Sequence, residues 1–407
     1  MRIFTCSSCQ QTVFFENVQC TRCGRRLAYL PDQRILSALE PAEADALFIP
    51  LSPRAGGRAY RLCRNQVEYG ACNWLVAETD PHALCVACRM SEALPEDLED
   101  PLALESWRKL ERAKRRLLYT LDALGLPFES RSARPDRGLA FAFRADAEGE
   151  TVLTGHADGL VTINLQEADD AHRERMRVEM GEAYRTLLGH FRHEVGHYYW
   201  DRLIKDGPWL SPFRALFGDE RADYQRSLKR HYQKGPPADW QQSYVSAYST
   251  MHPWEDWAET WAHYLHMVDT LDTARAYGMT LKPKPVDGPR KSRVVRVRSI
   301  DFEDFDALVE RWVALTIALN GMNRSMGLND PYPFVLSDLA VQKLRFVHDV
   351  VDVLDPDPAD EVLKRWPQWV EAEPPVVELE EEEEEEEQPS ETLPEPLPAT
   401  ADMDEDG

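Results

Sequence analysis

The stretch of this sequence best suited to chemistry is His193-Glu194-Val195-Gly196-His197. Histidines four residues apart project from one face of a helix, so His193 and His197 can bind one metal ion together. Glu194 lies beside them, where a carboxylate can take a proton from a metal-activated water. This pattern also arises by chance on amphipathic helices, so its flanks and the downstream sequence decide its meaning.

The flanks of this motif favour a helix packed into a core. Thr186-Leu187-Leu188 precedes the motif and Tyr198-Tyr199-Trp200 follows it. Gly189 and Gly196 each cost a helix about 1 kcal/mol relative to Ala. Two such residues therefore predict a neighbouring element that approaches the helix closely.

A second acidic element lies about sixty residues downstream, where Glu255 and Glu259 begin an apolar helical stretch. The metzincin pattern needs Gly at position 200 and His at position 203, but this chain has Trp200 and Leu203, which excludes that class. A zinc site of two His and one Glu, with the fourth position left to water, remains. We predict that Glu255 is the third ligand and that Glu259 holds the second nitrogen of a ligand histidine. Tyr248 is placed to donate its hydroxyl to a developing oxyanion.

Several other polar side chains near these elements are weaker candidates for metal ligands. They are His190, Asp201, His252, His263 and His266. For His190 we expect packing, or contact with a ligand, rather than ligation. Trp254, Trp257 and Trp261 recur at helical spacing, which is more typical of a core than of a substrate platform.

Eight cysteines precede residue 90 and form two sets of four. The first set is Cys6, Cys9, Cys20 and Cys23, and its paired CxxC knuckles are typical of tetrahedral structural zinc. The second set is Cys63, Cys72, Cys85 and Cys88, with only one CxxC pair. We predict a structural zinc in each set. Reduced structural thiols are the rival interpretation of the first set, and a redox-active CxxC is the rival for the second.

The elements that must position these residues follow from the apolar periodicity. Helices are predicted over 102–124, 182–204, 219–232, 253–268, 302–320 and 337–353. Strands are predicted at 139–143, 151–154 and 161–165, with a hairpin turn at Ala157-Asp158-Gly159. The strand Val161–Leu165 is either an ordinary core strand or an edge strand that aligns an extended peptide. Residues 282–297, rich in Pro, Lys and Arg, are predicted to be a loop.

Charge divides the chain into a body and a tail. Residues 371–407 contain 17 Asp or Glu and no Lys or Arg, so they account for most of the net charge of −24 and leave −7 for the body. Such a tail cannot bury enough apolar area to fold, so we predict that it is disordered. The mildly acidic body argues against nucleic-acid binding. Without a signal peptide or a membrane helix in the sequence, we expect a cytoplasmic protein whose cysteines stay reduced.

These motifs resemble known metallopeptidases. His193–His197 followed by Glu255-Asp-Trp-Ala-Glu259 resembles the gluzincins, and the spacing from Tyr248 resembles the anthrax lethal factor branch, where a tyrosine so placed assists catalysis. Two cysteine clusters, then Gly189–Trp200 and Leu319–Gly327, resemble a bacterial family of zinc-binding metallopeptidases with an N-terminal zinc-ribbon domain. This resemblance covers roughly residues 1–355.

The expected fold is α+β. It has a zinc-ribbon domain over 1–95 with two four-cysteine zinc sites, a mainly helical zincin-like metallopeptidase domain with a small sheet over 100–355, and the acidic tail over 371–407. The expected function is hydrolysis of peptide bonds through a zinc-activated water, with Glu194 as general base. One catalytic and two structural zinc ions are expected.

Two other functions stay open at this point. The chain is alternatively a catalytically inactive zinc-ribbon adaptor, or interaction protein, that retains the zincin fold. A nucleic-acid-binding ribbon is a third hypothesis, which the charge of the body disfavours. The partner expected first is a peptide or protein substrate; a protein partner bound through the ribbon or the acidic tail is left open, and no membrane is expected.

Overall fold

A computed structural model describes residues 2–44, 46–147, 151–179, 182–284, 294–354 and 364–366. The tail 371–407, predicted to be disordered, lies outside the described residues. Within them the architecture is mixed α+β, which confirms the predicted fold class. No described helix is long and apolar enough to cross a membrane.

The cysteine-rich region is built from short strands. Its elements are β1 (Phe4–Thr5), β2 (Thr12–Val13), β3 (Leu27–Leu30), β4 (Ile35–Pro41), β5 (Leu47–Pro50), β6 (Tyr60–Leu62), α1 (Arg64–Tyr69), β7 (Leu75–Ala77) and β8 (Ser91–Ala93). Strands β1 and β2 form an antiparallel pair, with Cys6 and Cys9 in the turn between them. Strands β3 to β7 form an antiparallel sheet in sequence order.

A second sheet has the order β10-β11-β9-β8, with β9 (Ala140–Arg144), β10 (Gly155–Ala157) and β11 (Leu160–Asn164). Strand β9 pairs in parallel with both β8 and β11, whereas β10 pairs antiparallel with β11. The last strand of the cysteine-rich region therefore supplies one edge of this sheet, and β10 forms the other edge among the described residues.

Helices make up most of the rest. They are α2 (Pro101–Ala123), α3 (Asp170–Glu179), α4 (Leu187–Tyr199), α5 (Leu210–Phe217), α6 (Tyr224–Lys234), α7 (Pro253–Ala276), α8 (Phe305–Ser325) and α9 (Asp338–Asp352). A π-helical turn, Trp200–Ile204, extends α4. The small pair β12 (Thr280–Leu281) and β13 (Val295–Arg296) lies between α7 and α8.

Helix α4 lies at the centre of the core, between the second sheet, α2 and α7. The Phe191 ring packs against Phe141 of β9, with ring centroids 5.8 Å apart. Tyr199 stacks on Trp261 of α7 at 4.7 Å. Each such fully buried side chain contributes about 1.5–3 kcal/mol of apolar burial, so α4 is held on several sides.

Two predicted helices begin later than expected because a capping side chain sets the first turn. Thr186 accepts a hydrogen bond from the Gly189 amide, and α4 therefore starts at Leu187 rather than near residue 182. Asp223 caps α6 through the Arg226 amide, so that helix starts at Tyr224 rather than Asp219. Helix α7 runs on to Ala276, beyond the predicted end near residue 268.

The strand predicted at 151–154 is wrong, and β10 occupies Gly155–Ala157 instead. Asp158 and Gly159 have φ values of 48° and 78°, which suit a two-residue hairpin turn. That turn pairs Ala157 with Leu160, so the strand must lie directly before it. The expected hairpin turn is confirmed.

The loop predicted over 282–297 falls partly outside the described residues. Within the part that the structure describes, Val295 and Arg296 form strand β13. The backbone there pairs with β12 instead of remaining irregular.

Candidate metal centre

The crossing of α4 and α7 brings the motif and the downstream acidic element together. A Cβ atom on Gly196 would lie 3.0 Å from the Cα atom of Ala258, which is tighter than nearly all Cβ contacts in proteins. The Trp257 indole donates to the Gly196 carbonyl at 2.8 Å across the same crossing. The expected close approach at Gly196 is thereby confirmed, and it places Glu255 opposite the two histidines.

His193, His197 and Glu255 form a compact group, which we call the triad. Glu255 Oε2 lies 3.0 Å from His193 Nε2, and Glu255 Oε1 lies 3.4 Å from His197 Nε2. All three ligand atoms lie within 4.8 Å of one another. A tetrahedral zinc ion with bonds near 2.0 Å needs ligand separations of about 3.3 Å, so the spacing suits zinc.

The donor chemistry of the triad also fits a cation. Glu255 is only 2% exposed, and its Oε2 atom has no hydrogen bond of acceptable geometry to the described protein. A buried carboxylate oxygen without a partner is costly unless a positive charge occupies the space beside it. Two imidazole nitrogens and one carboxylate are the donors of catalytic zinc sites with an open position.

Glu259 lies where the sequence predicts a supporting carboxylate. Its Oε1 atom is 2.7 Å from His193 Nδ1, and its Oε2 atom accepts the Ser246 hydroxyl at 2.7 Å. Burial alone would raise the pKa of Glu259, but the contacts with His193 and Ser246 outweigh it and hold the pKa at about 2. An ionised Glu259 keeps the proton of His193 on Nδ1 and leaves Nε2 free to bind a metal.

Glu194 points from the same helix into a buried environment. Its side chain is 8% exposed, and burial raises the pKa of its carboxyl group above the ordinary value. The charges nearest to it belong to His193, His197 and Glu255. A carboxylate with a raised pKa beside a metal site is the kind of group that accepts and returns a proton.

Two tyrosines approach the triad, and the sequence indicated only one of them. Tyr248 is half-buried near Glu255 and Glu194, and loss of solvent around its hydroxyl raises the pKa of that group well above the usual range. Tyr224, at the start of α6, donates its hydroxyl to Glu255 Oε1 at 3.0 Å and interacts with Tyr248. Nothing in the local sequence around Tyr224 indicates this role, because only the fold brings α6 against α7.

The weaker candidates have other partners. His190 Nδ1 lies 3.0 Å from Glu167 Oε2, and His252 accepts the Trp254 amide at the start of α7. His263 contacts the Tyr332 hydroxyl at 2.8 Å, His266 contacts Arg192 at 2.6 Å, and Asp201 pairs with Lys205. None of these side chains joins a metal-ligand group among the described residues.

Aromatic rings line one side of the triad. Trp257 and Trp261 are fully buried, as expected for core residues, whereas Trp254 is half-buried and its ring lies 3.9 Å from that of His197. His156 of β10 also lies nearby, with its ring 6.3 Å from that of His197. The edge strand β10 thus adjoins the metal centre.

The possibility that Val161–Leu165 forms the edge strand is wrong. Strand β11 lies between β10 and β9 and pairs with both, so it is an internal strand with Val161 and Ile163 buried. Two-sided pairing leaves β11 without free backbone groups for a substrate. The edge nearest the triad is β10.

Each predicted cysteine set converges on one point. In the first set, the Sγ atoms of Cys6 and Cys23 lie 3.7 Å apart, and those of Cys9 and Cys20 lie 3.6 Å apart. In the second set, Cys72 and Cys85 are 3.7 Å apart, and all four residues are buried. Tetrahedral zinc with Zn–S bonds of about 2.3 Å requires S–S separations near 3.8 Å. All eight cysteines are free thiols, so neither set forms disulfides.

Comparisons with known proteins agree with this layout. A family model described as "Putative zinc-binding metallo-peptidase" matches residues 103–350, and a zinc-ribbon domain model matches residues 3–99. Uncharacterized proteins from two strains of Mycobacterium tuberculosis and from Mycobacterium bovis are each 43% identical over 358 residues, which is 88% of this chain and 97% of the relative. No solved structure matches the chain.

Proposed function

We propose that this chain, which belongs to the family described as "Putative zinc-binding metallo-peptidase" and carries a zinc-ribbon region, is a zinc-dependent peptidase of the gluzincin type. The observation that carries the proposal is the triad itself. His193, His197 and Glu255 meet within 4.8 Å, with Glu194 buried beside them on the same helix. Two histidines, a metal-binding carboxylate and a separate buried carboxylate are the parts that amide hydrolysis requires.

Each side chain has a definite task in this scheme. His193, His197 and Glu255 would hold the zinc ion, and the ion, when bound, would supply Lewis acidity for hydrolysis of the peptide bond. Glu194 takes the proton from the attacking water and later delivers it to the leaving amine. Glu259 fixes the His193 ring.

Tyr248 and Tyr224 both carry hydroxyl groups beside the triad: Tyr224 donates to Glu255, and the Tyr248 ring lies 6.0 Å from that of His193. Tyr248 carries the oxyanion role that its spacing from Glu255 predicts. Tyr224 joins it: its hydroxyl lies 3.0 Å from the Glu255 carboxylate, and rotation of the O–H bond turns its single proton from Glu255 to the oxyanion. Donors aimed at the developing negative charge lower the barrier of the chemical step.

The edge strand β10 orients the substrate. Its backbone pairs with β11 on one side only among the described residues, and His156 lies beside His197. An extended peptide that adds to this edge by backbone hydrogen bonds passes over the triad. We therefore assign substrate alignment to Gly155–Ala157.

Three zinc ions follow from the same reasoning. The triad holds the catalytic ion, and the two cysteine sets hold structural ions, because four thiolates leave no position for water or substrate. The fully buried second set is a folding element of the chain.

The decisive test is the variant Glu194→Gln in the full chain. We expect it to retain the full zinc content of the wild type while losing proteolysis, since the amide cannot accept the proton of water. Zinc is measured by mass spectrometry, and new peptide N-termini are labelled across a bacterial proteome incubated with each protein. Glu105→Gln, which neutralises an exposed carboxylate of α2, is the matched control and should cleave like the wild type.

An identical set of new N-termini with the wild type and Glu194→Gln would refute the peptidase proposal. Cleavage by neither protein, with the triad zinc retained, would favour the inactive adaptor instead.

A further inference from the structure

Helix α6 lies beside the metal centre and contacts it with one face. Tyr224 hydrogen-bonds Glu255, and the His231 ring lies 5.8 Å from that of Tyr248. The half-buried face consists of Tyr224, Ser227, Leu228 and His231, and no residue of α6 is fully buried. The helix is therefore a surface element whose inner side adjoins the triad.

The outer side of α6 carries positive charge only. Its exposed cations, which we call the α6 cations, are Arg226, Lys229, Arg230 and Lys234, and no Asp or Glu occurs between residues 224 and 234. None of the four forms an ion pair with a described residue. The nearest acid in sequence, Asp223, caps the helix by accepting the Arg226 amide. The next two acids are paired elsewhere, Asp219 with Arg221 at 2.6 Å and Glu220 with Arg214 at 2.9 Å.

This arrangement differs from that of the other highly charged surface helix. In α3, Arg173 pairs with Asp170, and Arg177 pairs with Glu174 at 2.7 Å. In α6, by contrast, Arg226 and Arg230, then Arg230 and Lys234, are like charges four residues apart, which destabilise a helix. The repulsion between the α6 cations destabilises the helix, and the body of the protein is otherwise mildly acidic. This unfavourable arrangement indicates that the α6 cations contact a partner outside the described chain.

We propose that the α6 cations bind acidic polypeptide segments and thereby select substrates rich in Asp and Glu near the cleaved bond; the selection of substrates rests on the proposed peptidase function. Strand β10 and α6 both border the triad, the first through His156 beside His197 and the second through Tyr224 on Glu255. An extended chain paired with β10 across the triad therefore passes close to α6, where exposed cations attract carboxylates over a range of about 10 Å.

Other anionic partners fit this surface less well. A membrane-binding helix needs a row of apolar side chains on its exposed side, and the outer side of α6 offers only Tyr232. Nucleic acid would meet a body with a net charge of −7 over residues 1–370, which opposes binding at a distance.

The test measures binding and cleavage separately. Fluorescence anisotropy of a labelled short polyglutamate peptide is recorded with the full-length Glu194→Gln background, so that no cleavage occurs. In that background we compare R226Q/K229Q/R230Q/K234Q with the control R54Q/R112Q/R144Q/R298Q, which removes four exposed arginines on other elements. We expect about tenfold weaker binding for the first variant and less than about twofold for the control. The charge-conserving variant R226K/R230K should bind like the parent.

Equal weakening by the two quadruple variants would overturn the proposal, as would displacement of the peptide at lower concentration by a single-stranded oligonucleotide of equal charge.

Cleavage of a random peptide library supplies the second arm. The wild-type protein should enrich Asp and Glu around cleaved bonds, and the quadruple α6 variant should lose that enrichment. Absence of any enrichment in the wild-type products would overturn the selection of substrates, whereas loss of the peptidase function alone would leave the binding result intact.

Discussion

At the scale of single residues, the two tyrosines at the triad make separable predictions. Tyr224→Phe and Tyr248→Phe should each keep the zinc content of the wild type, because neither hydroxyl is a metal ligand in our assignment. Removal of one oxyanion donor typically lowers kcat about 10²- to 10³-fold. Steady-state kinetics on a cleaved peptide, with zinc quantified in the same samples, measures both quantities.

The KM values serve as the control for this pair, since loss of a donor that acts only in the transition state leaves them nearly unchanged. A wild-type kcat for Tyr224→Phe would show that Tyr224 merely orients Glu255.

The two glutamates of α7 should differ in their effect on metal binding. In the proposed site Glu255→Ala removes a metal ligand, so we expect the triad zinc to be lost on dialysis. Glu259→Ala removes only the hydrogen bond to His193, so the affinity should fall about 10- to 100-fold. Zinc is measured by titration with a competing chelator, and a larger loss in Glu259→Ala would reverse the two roles.

The sequence indicates the chemistry of the triad better than its surroundings. His193, His197 and Glu255 could be picked out from the sequence. Helical spacing alone aligns the two histidines, and a second short motif supplies the acid. Tyr224 and His156 could not be found this way. They lie on α6 and β10, which the tertiary fold alone brings to the site.

At the scale of elements, the close crossing of α4 and α7 depends on the absence of a Cβ atom at Gly196. Gly196→Ala would place a Cβ atom 3.0 Å from Ala258 Cα and force the helices apart. Such overpacking costs about 1–3 kcal/mol of folding free energy, and it would also move Glu255 away from the histidines. Chemical denaturation and zinc affinity should both show the loss.

Gly321→Ala is the matched control for this substitution, because nothing lies within 4 Å of a Cβ atom at that position of α8. Replacing an exposed helical Gly there should stabilise the protein by about 1 kcal/mol. Equal effects of the two substitutions would contradict the packing argument.

The motif Leu319–Gly327 has a structural partner in the loop after α8. Asn320 donates to the Tyr332 carbonyl at 2.8 Å, Asn323 donates to the Asn329 carbonyl at 3.0 Å, and Arg324 pairs with Asp330. The loop in turn brings Tyr332 against His263 of α7. These residues thus fix a loop behind the helix that carries Glu255 and Glu259.

Helices were predicted more accurately than strands for a physical reason. The apolar spacing of α2, α7 and α9 persists over several turns, so small errors at the ends leave the element intact. Strand β10 is only three residues long, too short for a clear alternation of apolar residues. Side-chain hydrogen bonds determine the conformation of the residues before it. Asn164 donates to the Val152 carbonyl at 2.9 Å, which holds residues 151–154 without a strand ladder.

At the scale of the whole molecule, α2 joins the cysteine-rich region to the helical part. Lys114 and Arg115 both pair with Glu111, all three buried, and Ser91 of β8 donates to the same glutamate at 2.8 Å. Arg115 also donates to the Ala71 carbonyl beside Cys72. A buried charge network of this kind is costly to break by removing one member.

The two cysteine sets should therefore differ in their importance for stability. Cys85→Ser breaks a buried site under α2, so we expect loss of one zinc, a drop of several kcal/mol in the free energy of unfolding, and loss of peptidase activity. Cys23→Ser alters an exposed position of the first site, so we expect a smaller drop in the free energy of unfolding.

Differential scanning calorimetry with zinc analysis compares these two variants. Equal losses of thermal stability would show that the two sites support the fold to the same degree.

The parallel pairing of β8 with β9 has a consequence for how such proteins diversify. The cysteine-rich region supplies strand β8 to the second sheet, so it cannot be exchanged between genes as an independent domain. A protein that lost the cysteine-rich region would expose the unpaired edge of β9. Exposed strand edges promote aggregation, so selection would remove such a protein. We therefore expect the cysteine-rich region and the helical region to be inherited together. They occur together in the mycobacterial relatives, whose alignment with this chain covers 97% of their length.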